Sequence, residues 1–571
     1  MRIVFDSTTY NKLSALMQII VMVFLFSLSL FPIKDRWTDA DLLLVRMLPS
    51  ICILGALSLL LCKEKTGITA VDILLLVFTL YYSLNSWIES KYPCISQSLK
   101  VVSLFFLYVG LRMLFSSRRV TPWVLIALLL LCGSIEAIWG IVQLIGGGNH
   151  AQKYLVTGNF VNPGPYSAYL SIGVVTGLTL LADKGKNKIV FASVVLMLTV
   201  LPSTWSRAAF LSIGLSALWL FRVKYYKYRF IVIGGIVLIA ILFYYLKKGS
   251  ANGRLLIWLA TLLSWRHTPL LGVGTGGFIH NCSEGIEEMY ISNIMPSLLN
   301  TAGVAENSFN LYLKIWVEQG IVGFLLFTVI LLFFLKELHS SCRPLFYGMV
   351  TLLIISMFSY PLELLPYQIL LVTVAAWSES CRRQNRTILG TIMIASLYTF
   401  IITMGGAFIR KTVHERFLAD REASLLSSQR GEDLMDDFHD LLKLEEDNPQ
   451  FLYDYAIVLY ESERFNESIS ILKKGTMVSA DPMFYVMIGN NYSKLSKTKE
   501  AELAYTKAYG ILPNRLYPLY QLMLLYSDTG QDEKASKIAK EIIEMKPKVE
   551  SPATRDMKES AKTIMTKNLY Q

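Results

Sequence analysis

Thirteen long apolar runs, each near the length a bilayer core demands, fill the chain up to about residue 409. They lie near 12–32, 41–62, 68–88, 96–115, 122–145, 164–182, 187–203, 205–221, 229–246, 310–335, 344–360, 364–380 and 387–409. Runs of that length are expected as membrane-spanning helices, so the fold class expected is all-α, a polytopic membrane helical bundle. Composition agrees: 53% hydrophobic residues and a mean hydropathy of +0.46 exclude an ordinary soluble protein. The first run, from Leu13, has no small-residue cleavage signature and is followed by further spans. It is expected to be a retained helix rather than a removed signal peptide.

Charge orients the bundle. Beyond residue 409 the chain carries 23 Lys+Arg and 26 Asp+Glu, which leaves 31 against 17 for the spans and their loops. That basic excess sits in short loops, not in a contiguous patch, so it reads as topology and excludes nucleic-acid binding. Sixteen Lys and Arg, among them Lys186, Arg222, Lys336 and Arg383, fall on one side. Only Lys34, Arg36, Lys91 and Lys153 fall in the short loops of the other. The basic side is therefore expected in the cytoplasm, together with the N-terminus. A large loop, about 247–309, and the C-terminal tail then face outward, into a periplasm. Seven scattered cysteines form neither a disulfide framework nor a zinc pattern, and His150, His267 and His280 lack metal-ligand spacing. No cofactor or metal is expected.

Three regions follow from this: 1–409 as the membrane domain, 410–447 as a charged connector, and 448–571 as a soluble helical repeat. In the tail Ala456, Gly489 and Met523 recur 33 and 34 residues apart. Leu459, Tyr492 and Tyr526 share that register, as do Ser468, Ala501 and Ala535, and prolines 482, 513 and 547 punctuate the ends. Small residues at two of these sets let antiparallel helices approach closely, the pattern of a tetratricopeptide repeat. Such a stack serves as a protein-binding surface or as a spacer.

The segment from Lys247 to Gly323 is the longest polar interruption, and we read it as a lid-like catalytic region over a membrane-embedded site. It holds Arg254, Arg266, His267, His280 and Glu306. Arg207 opens the eighth run at its outer end, where a positive charge is less expected and function is favoured over anchoring. Arg254 opens the amphipathic piece GRLLIWLATLLSW, suited to lying on the interface. Two guanidiniums converging there would suit a diphosphate, because the Arg fork binds phosphate oxygens bidentately and keeps its charge. GVGTGGF (272–278) has no preceding strand and no following Gly-Lys-Ser/Thr, so it is a tight turn rather than a phosphate loop. Glu136, within a span, reads as a hydrogen-bonded buried acid. Asn159 and Asn162, in TGNFVNPGPYSAYL, could bond a sugar or a neighbouring loop.

Over about residues 150–335 the chain resembles the O-antigen ligase family, which includes O-antigen polymerases and bacterial protein O-oligosaccharyltransferases. The resemblance rests on GNFVNPGPYSAYL, on SRAAF, on GRLLIW followed by PLLGVGTGGF, and on Phe309, Asn310, Gly320 and Gly323 in an FN-x9-GIVG pattern. It implies a metal-independent, inverting glycosyltransferase of a bacterial inner membrane. Such an enzyme moves a glycan from undecaprenyl diphosphate to an acceptor hydroxyl of lipid A core, protein or glycan on the periplasmic side. Arg207 and Arg254 match the family's arginines and are implied ligands of the donor diphosphate. Arg266, Asn159, Asn162 and Asn310 complete the expected binding set. Where the family has His before Asn310 this chain has Phe309, so the proton-accepting role is expected of Glu306 or His280. A polymerase acting on the lipid carrier shares this chemistry. A lipid-linked-glycan transporter or flippase, which would show internal repeats and broken helices, and a non-catalytic anchor for the tail are readings of other classes.

Overall fold

A computed structural model describes residues 7–31, 39–62, 68–88, 95–116, 121–147, 154–185, 187–221, 248–305, 307–382, 409–427, 434–547 and 550–567, with isolated positions between 230 and 245. Among the described residues the structure is helical without strands. The membrane part comprises α1 (Ser7–Ser27), α2 (Asp39–Cys62), α3 (Ala70–Ile88), α4 (Ile95–Phe115), α5 (Pro122–Ile145), α6 (Pro163–Lys184), α7 (Lys188–Val200) and α8 (Arg207–Phe221). After α9 (Lys248–Trp265) and α10 (Phe278–Ile291), both in the large loop, come α11 (Leu311–Ser341), α12 (Arg343–Ile355) and α13 (Leu365–Cys381). Eleven of the thirteen expected spans coincide with these helices; 229–246 lies largely, and 387–409 almost wholly, outside the described residues. Six of the helices are long and apolar enough to cross a membrane, and four shorter ones are apolar.

Local chemistry sets the helix starts. Asn162 caps α6, its Oδ1 accepting from the Gly164 N–H at 2.9 Å, and Pro163 occupies the first turn where no donor is needed. Asn310 caps α11 in the same way, accepting from the Leu313 N–H at 3.1 Å. The outward face of α11 exposes Leu325 and Leu332, the surface a lipid-facing helix requires.

One break organises the site. Within α11, Gly320 has φ 63 and ψ −170, so the helix stops and restarts. The freed backbone groups are taken by the turn after Pro269. Val273 N–H donates to the Val317 carbonyl at 2.9 Å, and Gly274 N–H to that of Glu318 at 3.1 Å. Beyond the break, Ile321 N–H donates to the Pro269 carbonyl at 3.1 Å. A Cβ on Gly272 would come within 2.4 Å of the Val317 carbonyl, so the glycine run permits backbone to lie on backbone. The side chains of Asn85 and Tyr81, on α3, complete the accounting by donating to the carbonyls of Leu271, Glu318 and Gln319.

The tail forms helix pairs: α14 (Pro449–Glu461) with α15 (Phe465–Val478), α16 (Met483–Lys494) with α17 (Thr498–Ile511), and α18 (Leu516–Asp528) with α19 (Asp532–Glu544). A final helix, α20 (Pro552–Lys567), packs on α18 and α19. Ala456, Ser468, Ala501, Met523 and Ala535 are all fully buried, as close helix contact demands. The first pair's core continues into the connector through Ala419, Ala423, Leu426 and Phe438.

This tail does not hang free. α10 packs against α15 and α17, and Leu512 of the tail joins the large loop's own apolar core. Asn514 Nδ2 donates to the carbonyls of Asn300 and Ala302 at 3.1 and 2.8 Å, and Tyr290 meets Tyr509 edge-on. Nearer the membrane, Arg416 and Asp447, both almost fully buried, lie 3.4 Å apart and share Ser96 at the start of α4.

Candidate functional site

Arg207 begins α8, two residues after a left-handed Trp205 (φ 50) that turns the chain into the helix. Its Nη2 reaches Ser250 Oγ, in the first turn of α9, at 3.4 Å. Four residues along α9, on the same face, stands Arg254. One N–H of Arg254 is held by the Phe358 carbonyl at 2.6 Å, and the guanidinium lies 4.9 Å from the centre of the Phe309 ring. Phe309 packs edge-on against Tyr360 at 5.7 Å. Burial, and then the charge of Arg207, push the Arg254 pKa down to about 10, while Tyr360 opposes the shift. Arg254 therefore stays cationic at neutral pH, and two like charges are held together where an anion would relieve both. Phe309 adopts φ 51, a costly conformation for an aromatic residue, with its ring against the Arg254 guanidinium.

Tyr360 also lines a cavity of about 1180 Å³ bounded by α3, α4, α11, α13, the large loop and the tail. Leu311, Lys314, Ile315 and Glu318 present one face of α11 to it. Lys314 pairs with Glu363 at 3.2 Å. Glu318 is 2% exposed, and its Oε1 has no hydrogen-bond partner. Sequence reasoning missed Lys314 and Glu318. A Lys and a Glu four apart within the otherwise apolar LYLKIWVEQGIVGF were the signal.

The other expected residues are dispersed. Asn159 spends its side-chain amide on the buried Glu136, donating to Oε1 at 2.8 Å, which also gives Glu136 the hydrogen-bonded setting expected of it. Asn162 and Asn310 are helix caps, as described above. Arg266 lies at the loop surface, ion-paired with Glu288. His280 lines the cavity but is turned to the tail, with Nδ1 3.0 Å from the Thr476 carbonyl and Nε2 3.1 Å from Glu284. Glu306 lies outside the described residues.

A bundle of apolar helices, a broken helix sealed by the large loop, and paired arginines beside a chamber lined in part by helical repeats define a membrane protein with a tetratricopeptide-type tail. Comparison with known families identifies the segments: residues 192–328 match the O-antigen ligase family, and residues 484–515 match the tetratricopeptide repeat. The first match contains Arg207, Arg254, the glycine turn and the break at Gly320. That match supports a role in glycan transfer or polymerisation in general. No match was found among curated proteins. Two solved structures, titled "Crystal structure of MamA" and "Crystal structure of MamA protein", are similar at 18% and 17% identity. They cover 24% and 27% of this chain and 85% and 90% of their own, with TM-scores of 0.19 and 0.22.

Proposed function

We propose that the chain is an inverting, metal-independent transferase that moves a glycan from undecaprenyl diphosphate to an acceptor hydroxyl at the outer face of a bacterial inner membrane. The observation that carries this reading is the pairing of Arg207 and Arg254 inside the segment that matches the O-antigen ligase family. A lipid diphosphate leaves readily once its charge is neutralised. Two fixed guanidiniums, one of them half-buried, supply that stabilisation without reorganising during the reaction. Phe309 and the Phe358 carbonyl hold Arg254 in place, so its remaining donors form a preset fork. Attack by the acceptor hydroxyl from the face opposite the diphosphate inverts the anomeric carbon. Glu306, three residues ahead of Phe309, and His280, on the cavity wall, are the proton acceptors of this scheme. Glu306→Gln and His280→Gln separate them, since loss of transfer follows only from the residue that takes the proton.

A transporter would leave its broken helix open to a ligand. In α11 the groups freed at Gly320 are bonded by the 269–274 turn and by α3, which favours a static wall over a moving gate. The repeat tail belongs to a class of protein-binding modules, and part of its surface is spent on the chain's own loop. Comparison of glycoconjugates from cells lacking the chain with cells carrying Arg254→Ala tests the proposal. Both should lose the same product, and an unaltered glycoconjugate profile in either contradicts it.

A further inference from the structure

The chamber beyond Tyr360 has a chemistry opposite to that of the arginine pair. Two lysines face it, Lys100 and Lys314. Five carboxylates oppose them: Glu284, Glu318, Glu363, Asp447 and Asp481, the last two contributed by the connector and the tail. Both lysines already have acidic partners, Lys314 in Glu363 and Lys100 in Asp41 at 3.7 Å, while Asp447 is compensated by Arg416. Glu284 stands 3.1 Å from His280, so the acidic surplus rests on Glu318 and Asp481. Glu318 is nearly wholly buried with one oxygen lacking any donor, and Glu363 likewise keeps an unpartnered Oε1. A buried carboxylate oxygen without a donor is costly, and a ligand rich in hydroxyl or ammonium groups removes that cost. Tyr82, Tyr360 and Tyr453 add aromatic surface from three different walls. At about 1180 Å³ the chamber exceeds the roughly 300–1,000 Å³ of a drug-sized pocket, so it accommodates an oligosaccharide.

We infer that this chamber is the acceptor site and that it takes a neutral or amino-bearing glycan while rejecting one that carries phosphate or carboxylate groups. The inference rests on the transfer reaction proposed above and adds the class of acceptor. The anionic diphosphate belongs to Arg207 and Arg254, and the uncharged sugars lie on the far side of Phe309 and Tyr360. The tail is then part of the binding site, because Asp481, Tyr453 and Gln450 line it. At about 7 Å and an intermediate effective dielectric, each uncompensated like charge lowers affinity about 5-fold.

The test uses the full chain in detergent micelles, titrated calorimetrically at low salt with three trisaccharides of equal length. These are triacetylchitotriose (neutral), chitotriose (amino-bearing) and trigalacturonate (carboxylate-bearing). The first two should bind, and trigalacturonate should bind at least about 10-fold more weakly. Glu284→Lys, at a half-exposed wall position, should strengthen trigalacturonate binding about 5-fold or more and leave triacetylchitotriose unchanged. Equal affinity for the neutral and acidic sugars, no binding of any of the three at about 10 mM, or no response to Glu284→Lys overturns the inference. Arg254→Ala distinguishes this failure from failure of the transferase reading. The sugar ranking should survive that substitution while transfer is lost. An intact ranking with no transfer by the wild-type chain would sink the transferase and keep the glycan chamber, whereas a lost ranking in wild type with transfer abolished by Arg254→Ala would do the reverse.

Discussion

Replacing Gly320 with alanine tests whether the break in α11 is held by the 269–274 turn. Its φ of 63 and ψ of −170 lie in a region that is nearly glycine-only, costing about 1–3 kcal/mol for alanine. The new Cβ would also stand 2.1 Å from the Leu270 carbonyl and 2.6 Å from the Gly272 nitrogen. Both are backbone atoms, so the turn itself must move. That displacement removes the bonds from Ile321 N–H to Pro269 and from Val322 N–H to Leu270, at about 1 kcal/mol each. The total is about 3–5 kcal/mol. Gly185 supplies a matched control, with φ 81 and ψ −157 but nothing within 4 Å of the place a Cβ would take, so Gly185→Ala should cost only the backbone share. Thermal unfolding of the detergent-solubilised chain, followed by thiol labelling of the buried Cys52, Cys132, Cys282 and Cys342, reads both variants. Gly320→Ala should unfold several degrees below Gly185→Ala, a gap of about 2 kcal/mol from the lost bonds. Indistinguishable midpoints would refute the argument that the turn seals the break.

Asn162→Ala should cost about 1 kcal/mol through loss of the α6 cap, read by the same unfolding assay, and restoration by Asp or Ser would identify capping as the cause. Asn514→Ala leaves two carbonyls of the large loop without their donor, so limited proteolysis should release the tail faster than in wild type while the repeat helices stay intact. Cysteines placed at 250 and 186 should report opposite sides: an impermeant thiol reagent added to intact spheroplasts should label 250 and spare 186. The reverse pattern would invert the topology.

Much of the bundle was legible because a bilayer imposes its own length on each helix, and α1 to α8 follow the apolar runs closely. The repeat was legible for a related reason, since Ala456, Gly489 and Ala501 must stay small where two helices touch. The break at Gly320 was not. GIVG within an apolar run carries no signal for a helix stop, and the cause lies some fifty residues earlier, in the turn after Pro269. Docking of the tail was equally hidden, because Asn514 and Tyr509 find partners only in tertiary structure. At the site, Arg207 and Arg254 stood out as charges beside apolar sequence, and in the structure Arg207 contacts Ser250, one helical turn before Arg254. For Asn159 the sequence left a sugar and a neighbouring part of the chain open, because a surface amide and an amide serving a buried acid are the same residue in sequence; its side chain bonds Glu136.

The central claim, that two arginines activate a lipid diphosphate, is tested most directly by transfer in proteoliposomes supplied with an undecaprenyl-diphosphate-linked glycan. Arg254→Ala removes the half-buried guanidinium together with its hold on the Phe358 carbonyl and the Phe309 ring. It should lower the rate about 10²–10³-fold, and Arg254→Lys should recover little of it, because an ammonium lacks the planar fork. Arg207→Ala should behave alike, with the repeat tail still docked and thermal unfolding within about 2 °C of wild type. Transfer at the wild-type rate by either alanine variant would contradict the account.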